Sequence, residues 1–357
     1  MRFIPSYCLR EGQILACDLV ADKNKMLLRK GATLTDTLIK RICYLGFQGI
    51  YIDDDISADI VVADIISNEL KYKAKAEIRS LLINVENNMK NRIASHVETL
   101  TTVISNIVDE ILHNRNMMVN VVDIRAYDDY TYSHCLNVTV LSVVLGTVLG
   151  LEKKALNELA MGALMHDIGK VFIDKKVINK AGPLNEDEYE EVKMHSLIGY
   201  NYVCTNHKIP QSAQLVVLTH HERFDGSGYP TGLQGSEIPL FGRIVAVTDV
   251  YDAMVSDRPY SHALLPSDAV EFIMGGYNTL FDPTVVDAFT RKVAPYPVGT
   301  CVILSNGLTG IVVQNYEYSC LRPKVRLIRG NKPVNEFIDL AHDYDALNIT
   351  IKEIINL

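Results

Sequence analysis

The amino-acid sequence predicts a mainly α protein, with a helical central region, a small α/β unit at the N-terminus and a β-rich extension at the C-terminus. Apolar residues recur at steps of three and four along much of residues 60–293, and no Pro or Gly interrupts residues 60–120. Short apolar runs bounded by turn residues lie on both sides of that region. These patterns divide the 357 residues into four predicted segments, at 1–56, 57–120, 121–293 and 294–357.

In the first segment, apolar runs at Ile14–Leu19 and Met26–Leu28 predict strands. Thr35 is a suitable N-cap for a helix that Gly46 would end, and residues 49–52 predict a further strand. The second segment predicts long helices. Three roles are open for them: a connector, a homodimer contact, or packing on their own domain.

In the last segment, Val302–Leu304 and Gly310–Val313 flank the turn Ser305-Asn306-Gly307, a pattern typical of a β-hairpin. Lys324–Ile328 predicts another strand.

The composition excludes several classes of partner. A net charge of −8 does not suit a protein that binds a nucleic-acid polymer, whereas a small anionic ligand can be held through a metal ion. Seven dispersed cysteines without a C-x-x-C pair, and an N-terminus without an apolar signal region, indicate reduced thiols in a cytoplasmic protein. The apolar run Leu136–Leu149 is too short to span a bilayer, which predicts a buried helix and no membrane insertion.

The titratable residues of the third segment predict a metal site. The doublets His166-Asp167 and His220-His221 each follow an apolar helical run, where such side chains are costly to bury unless something satisfies them. Imidazole and carboxylate together suit Fe, Mn, Zn or Ni better than Mg or Ca. A pair of such ions roughly 3.5–4 Å apart suits the hydrolysis of phosphoesters. Asp249 also follows an apolar run, although a helix N-cap is the structural alternative for it.

Four segments of the chain resemble the signatures of the HD-GYP family. They are Tyr130-Thr131-x-x-His134, His166-Asp167-Ile168-Gly169-Lys170, the run HHERFDGSGYP at 220–230, and Asp249-x-x-Asp252-Ala253-x-x-x-Asp257-Arg258-Pro259-Tyr260. They occur in the family's order over roughly residues 120–290. The resemblance implies an all-helical HD-type catalytic domain at 121–293. It further implies a signalling enzyme that hydrolyses the bacterial second messenger cyclic di-GMP to linear pGpG, and in some members onward to GMP.

Carried over to this sequence, the resemblance implies seven ligands for two divalent metal ions and an attacking hydroxide that bridges them. These ligands are His134, His166, Asp167, His195, His220, His221 and Asp249. Asp167 is the bridging carboxylate, and Lys170 contacts the scissile phosphate, so these two are the implied catalytic residues. The implied substrate contacts are Lys170, Gly226, Gly228, Tyr229, Asp252 and Arg258.

The chain departs from the family pattern at two places. Tyr130 stands where some members have a Glu ligand for a third metal, so we expect two ions. Ser261-His262 stands where members commonly carry a basic residue, which leaves open another cyclic dinucleotide as the substrate. A catalytically weak module that only binds a cyclic dinucleotide is a further alternative, against which the complete ligand set argues. The family favours iron or manganese, and the spacing alone leaves zinc and nickel open.

Overall fold

The computed structural model describes residues 1–21, 25–45, 47, 49–62, 64–87, 90–119, 130–180, 182–205, 208–256, 264–330 and 332–355. The chain forms two compact units. One gathers residues 1–64, 118–130 and 290–357, and the other comprises residues 65–117 and 131–289. The predicted Arg258, Ser261 and His262, like Gly46, lie outside the described residues.

The first unit contains the N-terminal strands β1 (Arg2–Pro5), β2 (Ile14–Leu15), β3 (Leu19–Ala21), β4 (Lys25–Leu28) and β5 (Gly49–Asp53), with helix α1 (Asp36–Tyr44). An antiparallel sheet has the order β1-β5-β2, and β3 pairs with β4. The predicted Thr35 cap is observed, since its side chain accepts a hydrogen bond from the Leu38 N–H. The single strand predicted at Ile14–Leu19 is wrong, because two strands, β2 and β3, occupy that run.

The C-terminal part of the same unit is a five-stranded antiparallel sheet of order β10-β6-β7-β8-β9. Its strands are β6 (Cys301–Leu304), β7 (Thr309–Gln314), β8 (Lys324–Arg329), β9 (Lys332–Asp339) and β10 (Ile351–Ile354). The predicted hairpin is confirmed: Cys301 pairs with Ile311, and Gly307 takes the positive φ of 84° that the turn requires.

The second unit is helical. Its helices are α2 (Asn68–Glu86), α3 (Lys90–His113), α4 (Tyr130–Val148), α5 (Lys153–Met165), α6 (Lys175–Ile178), α7 (Glu186–Cys204), α8 (Gln211–Thr219), α9 (Leu240–Val255) and α10 (Pro266–Gly275), and α11 (Pro283–Lys292) follows. Helices α2 and α3 belong to this unit, and α3 packs on α5. The helical unit and the flanking sheets confirm the predicted fold class, whereas the four segment boundaries stay predictions.

Helix α4 corrects one expectation. Among the described helices it is the one that is long and apolar enough to cross a membrane, over Thr131–Val148. The apolar segment is therefore longer than the run Leu136–Leu149 predicted from the sequence. However, 78% of that window is buried inside the protein. Its polar residues Asn137, Thr139 and Ser142 are buried as well. This is the environment of a core helix.

Candidate metal centre

Five helices bring the seven predicted ligands into one cluster. His134, His195 and Asp249 project from within α4, α7 and α9, whereas the two doublets directly follow the last residues of α5 and α8. Asp249 lies in the middle of α9, which excludes the alternative of an N-cap. Six of the seven residues are buried, and the side chain of His221 is 21% exposed.

Two glycines let the backbone of α7 approach the His166-Asp167 doublet. A short 3₁₀ helix, Ile168–Phe172, follows the doublet and packs on α7. A Cβ atom at Gly169 would lie 1.8 Å from the carbonyl oxygen of His195 and 2.8 Å from the amide nitrogen of Gly199. A side chain at Gly169 is therefore incompatible with this packing, which holds His195 next to Asp167.

One group of possible ligand atoms surrounds the first carboxylate oxygen of Asp167. Oδ1 lies 3.5 Å from Nε2 of His195 and 3.9 Å from Nε2 of His220, and these two nitrogens are 3.3 Å apart. His221 completes the group, with its Nε2 3.2 Å from that of His195.

The hydrogen-bond partners determine the tautomers of two rings in this group. Nδ1 of His195 faces the carbonyl oxygen of Val192 at 2.6 Å, and Nδ1 of His220 faces that of Val217 at 3.0 Å. A carbonyl only accepts, so both Nδ1 atoms carry the hydrogen and both Nε2 atoms present lone pairs. Oδ1 of Asp167 has no hydrogen-bond donor among the described residues. Three electron-rich atoms, Nε2 of His195, Nε2 of His220 and Oδ1 of Asp167, thus lie close together without a hydrogen between them.

A second group surrounds the other oxygen of the same carboxylate. Oδ2 of Asp167 lies 3.4 Å from Nε2 of His166 and 3.7 Å from Nε2 of His134. Oδ1 of Asp249 is 3.1 Å from Nε2 of His134 and 3.8 Å from Nε2 of His166. The ring of His166 is oriented by its Nδ1, which donates to the carbonyl oxygen of Ala163 at 2.7 Å.

The electrostatics of the cluster separate neutral from charged groups. Burial lowers the pKa of His195 to about 4 and that of His221 to about 3, and it lowers the pKa of His220 as well. The positive charge of Lys170 adds to this effect at His195, whereas the charge of Asp249 opposes it at His221. Burial also opposes a charge on His134, but hydrogen bonds to Asp249 and Asp252 outweigh it and raise its pKa to about 9. In Asp167, burial is outweighed by the charges of His166 and Lys170, which hold its pKa well below the usual range.

The cluster fits a divalent metal ion. Ligand atoms about 2.0–2.2 Å from one ion lie roughly 3.0–3.5 Å from one another, close to the separations observed here. A cation at the first group would also satisfy the bare nitrogens and the orphaned Oδ1 of Asp167, which burial otherwise makes costly. Imidazole and carboxylate donors are those preferred by Fe, Mn, Zn and Ni.

Two side chains beside the cluster were given roles by the sequence. The Lys170 ammonium is 2.6 Å from Oδ2 of Asp167 and remains 32% exposed. Asp252, expected among the substrate contacts, is buried and accepts hydrogen bonds from Nδ1 of His134 and from Nδ2 of Asn137, both at 2.8 Å. This geometry favours a role in orienting His134. Asn137 was missed, although its position three residues after His134 places it on the same helix face.

The glycine-rich loop after α8 lies against the second doublet. The Tyr229 ring stacks on the His221 ring at a centroid distance of 4.7 Å. Gly226 takes a positive φ of 85°, and a Cβ at Gly228 would lie 2.3 Å from the amide nitrogen of Arg223. Of the predicted loop residues, Tyr229 is therefore beside the cluster and Gly228 packs on the backbone that directly follows the doublet. Arg258 lies outside the described part of the chain, so its predicted substrate contact stays a prediction.

The sequence is similar to two curated phosphodiesterases. It is 36% identical over 245 residues to a protein of Pseudomonas aeruginosa named cyclic di-GMP phosphodiesterase, an alignment that covers 66% of this chain and 59% of the relative. It is 33% identical over 199 residues to 3′3′-cGAMP-specific phosphodiesterase 1 of Vibrio cholerae, covering 53% of this chain and 43% of the relative. The chain thus spans about half the length of these relatives.

The fold is similar to that of a solved protein from Bdellovibrio bacteriovorus, described as an HDG"Y"P protein. The TM-score is 0.54 at 19% sequence identity, and the match covers 80% of this chain and 97% of the other. The resemblance to HD-GYP proteins predicted from the sequence is confirmed. A family model described as HD domain matches residues 88–285, more than half of the chain, and this protein therefore belongs to the HD domain family.

Proposed function

We propose that this protein hydrolyses cyclic di-GMP to linear pGpG, with GMP as the product of a second hydrolysis. The observation that carries the proposal is the pair of ligand groups that meet at Asp167. One carboxylate oxygen faces each group, which is the arrangement expected of a carboxylate that bridges two ions. We infer from the resemblance to the HD-GYP family that the ions are iron or manganese. Half or more of the donors in each group are imidazoles, a donor set that suits zinc and nickel as well.

Bound at these ligands, two divalent ions would polarise the scissile phosphate and lower the pKa of water to near 7. The residues of the chain prepare the site for them. Three of the histidines, His195, His220 and His221, are neutral at physiological pH and present nitrogen lone pairs. The ionised carboxylates of Asp167 and Asp249 would offset the positive charge of the ions.

The substrate would enter on the side of the partly exposed residues. Lys170 is suited to bind a phosphate oxygen and to stabilise the charge that develops on it, because its ammonium is at the edge of the cluster and a flexible side chain carries it. Tyr229 offers an aromatic face beside His221, and the glycines at 226 and 228 allow the backbone to approach a ligand. Arg258 is proposed as a further phosphate or guanine contact on the resemblance alone.

A second candidate substrate is 3′3′-cGAMP, favoured by the likeness to the Vibrio cholerae enzyme whose name states that specificity. Ser261-His262, in place of the basic residue common in the family, is compatible with this change. Location in the cytoplasm and dimer formation through residues 57–120 stay predictions.

The test is turnover by protein purified without oxygen, with cyclic di-GMP and 3′3′-cGAMP as parallel substrates. The variant His195→Ala removes a proposed ligand, and His113→Ala removes an exposed histidine at the end of α3 as the matched control. We expect turnover of cyclic di-GMP by the wild type and by His113→Ala, and none by His195→Ala. Turnover of 3′3′-cGAMP alone would select the second candidate. A metal-loaded wild type that turns over neither would refute the proposal.

A further inference from the structure

Glu222 is a buried carboxylate that follows the His220-His221 doublet directly and whose role the sequence did not reveal. Its residue exposure is 2%. Oε1 accepts hydrogen bonds from the backbone N–H groups of Thr231 and Gly232 at 2.8 and 3.2 Å. Oε2 accepts from those of Gly232 and Leu233 at 3.1 Å each. One side chain thus satisfies three consecutive amides at the far end of the glycine-rich loop.

The middle of the loop crosses the backbone of Glu222. A Cβ at Gly228 would lie 2.5 Å from the Cα of Glu222, so only glycine permits the crossing. The next residue, Tyr229, donates its N–H to the carbonyl oxygen of His221 at 3.2 Å and stacks its ring on the same histidine. The loop therefore folds back onto the His220-His221 doublet that precedes it, and Glu222 binds the backbone of residues 231–233 where it returns.

We propose that Glu222 is a positioning residue. Its carboxylate holds residues 226–233 against the metal-ligand doublet, so that Tyr229 remains beside His221 when substrate binds. Among the described residues its carboxylate accepts hydrogen bonds from the loop amides, and it acts through the loop. This inference rests on the proposed function and identifies what orders its substrate-binding loop.

The chemistry of the contacts explains why a carboxylate is required. Three N–H donors point at the two oxygens, and a charged acceptor forms stronger bonds with them than a neutral one. In Glu222→Gln, one oxygen would be replaced by an NH₂ group that faces other donors. At least one of the three loop amides would then lose its hydrogen-bond acceptor, and the loop would leave the position beside the doublet more often.

The experiment compares Glu222→Gln with Glu237→Gln in the full-length, metal-loaded protein. Glu237 is the matched control, because this exposed residue also accepts a backbone hydrogen bond close to the loop, from Gln234 at 3.0 Å. The measurements are hydrogen exchange of the amides at 231–233, metal content per chain, and kcat and KM for cyclic di-GMP.

For Glu222→Gln we expect exchange at these amides to be at least about tenfold faster, with metal content as in the wild type. KM should rise by about tenfold or more, while kcat changes less, because the loop contributes binding rather than the reacting groups. Glu237→Gln should match the wild type in every measurement.

Unchanged exchange in Glu222→Gln would overturn the proposal, as would faster exchange with unchanged KM and kcat. Joint loss of metal and of folded structure would point to a purely structural role. In that event Glu222→Asp, which keeps the charge but is one methylene shorter, must fold and show the faster exchange for the proposal to stand. If the wild type fails to hydrolyse cyclic di-GMP and the exchange still changes as expected, the proposed function is wrong and the loop assignment holds.

Discussion

A methyl group at Gly169 is expected to disable the metal centre. In Gly169→Ala the new Cβ would lie 1.8 Å from the carbonyl oxygen of His195, whereas such contacts essentially never fall below 3.0 Å. The 3₁₀ helix at Ile168–Phe172 and helix α7 must therefore move apart by roughly 1.2 Å, the difference between the two distances.

This displacement is large relative to the tolerance of a metal site. Oδ1 of Asp167 and Nε2 of His195 are 3.5 Å apart, and along that direction the separation would become about 4.7 Å. Two metal–ligand bonds of about 2.1 Å span at most about 4.2 Å, so one ion could no longer bind both atoms. We expect loss of at least one ion and a fall in turnover of about 100-fold or more.

The assay is metal content and turnover on the same purified sample, with a thermal unfolding curve to establish that the variant is folded. Gly275→Ala, at the end of α10, is the matched control, since a Cβ there meets nothing within 4 Å. A folded Gly169→Ala protein with wild-type metal content and turnover would refute the argument that this close packing positions the ligands.

Three further predictions concern the surroundings of the ligands. Asp252→Asn removes the charged acceptor of the His134 Nδ1–H and should weaken metal affinity about 10–100-fold in a metal titration. A metal affinity equal to that of the wild type would contradict the orienting role of Asp252. His134 has a pKa of about 9 without metal, so metal must displace its proton. The affinity for metal should then rise about tenfold per pH unit up to about pH 9 and level off above it. Calorimetry at pH 7 should show that metal binding releases about one proton per chain, and a metal affinity that does not change with pH would contradict this. Lys170→Met should lower kcat by about 100-fold with metal content unchanged, because its ammonium stabilises charge on the phosphate; loss of metal instead would show that Lys170 acts through Asp167.

The sequence predicted the cluster well because its signals are local. The doublets at His166 and His220 each follow an apolar run, and the structure ends α5 and α8 at the residue before each doublet. A polar pair at the end of a buried helix must meet a partner in the interior, which is why the doublets predicted a metal site. The other ligands, His134, His195 and Asp249, were predicted through the resemblance to the HD-GYP family. That these side chains bind metal stays a prediction.

Two features that the sequence did not reveal depend on contacts between distant segments. The approach of Gly169 to α7 requires a side chain to be absent, and the role of Asn137 depends on Asp252 in α9. The role of Glu222 depends instead on a nearby loop, whose backbone must fold back onto it. The strand β9 was missed because half of its Lys332–Asp339 sequence is polar and it contains a proline, and its pairing with β8 overrides this weak intrinsic preference.

The most direct test of a shared, dinuclear centre is the number of metal ions per chain in protein purified without oxygen, for the wild type and for Asp167→Ala. We predict about two ions in the wild type and a loss from both groups in the variant, because one carboxylate serves both groups. One ion per wild-type chain, or two ions retained by Asp167→Ala, would contradict it.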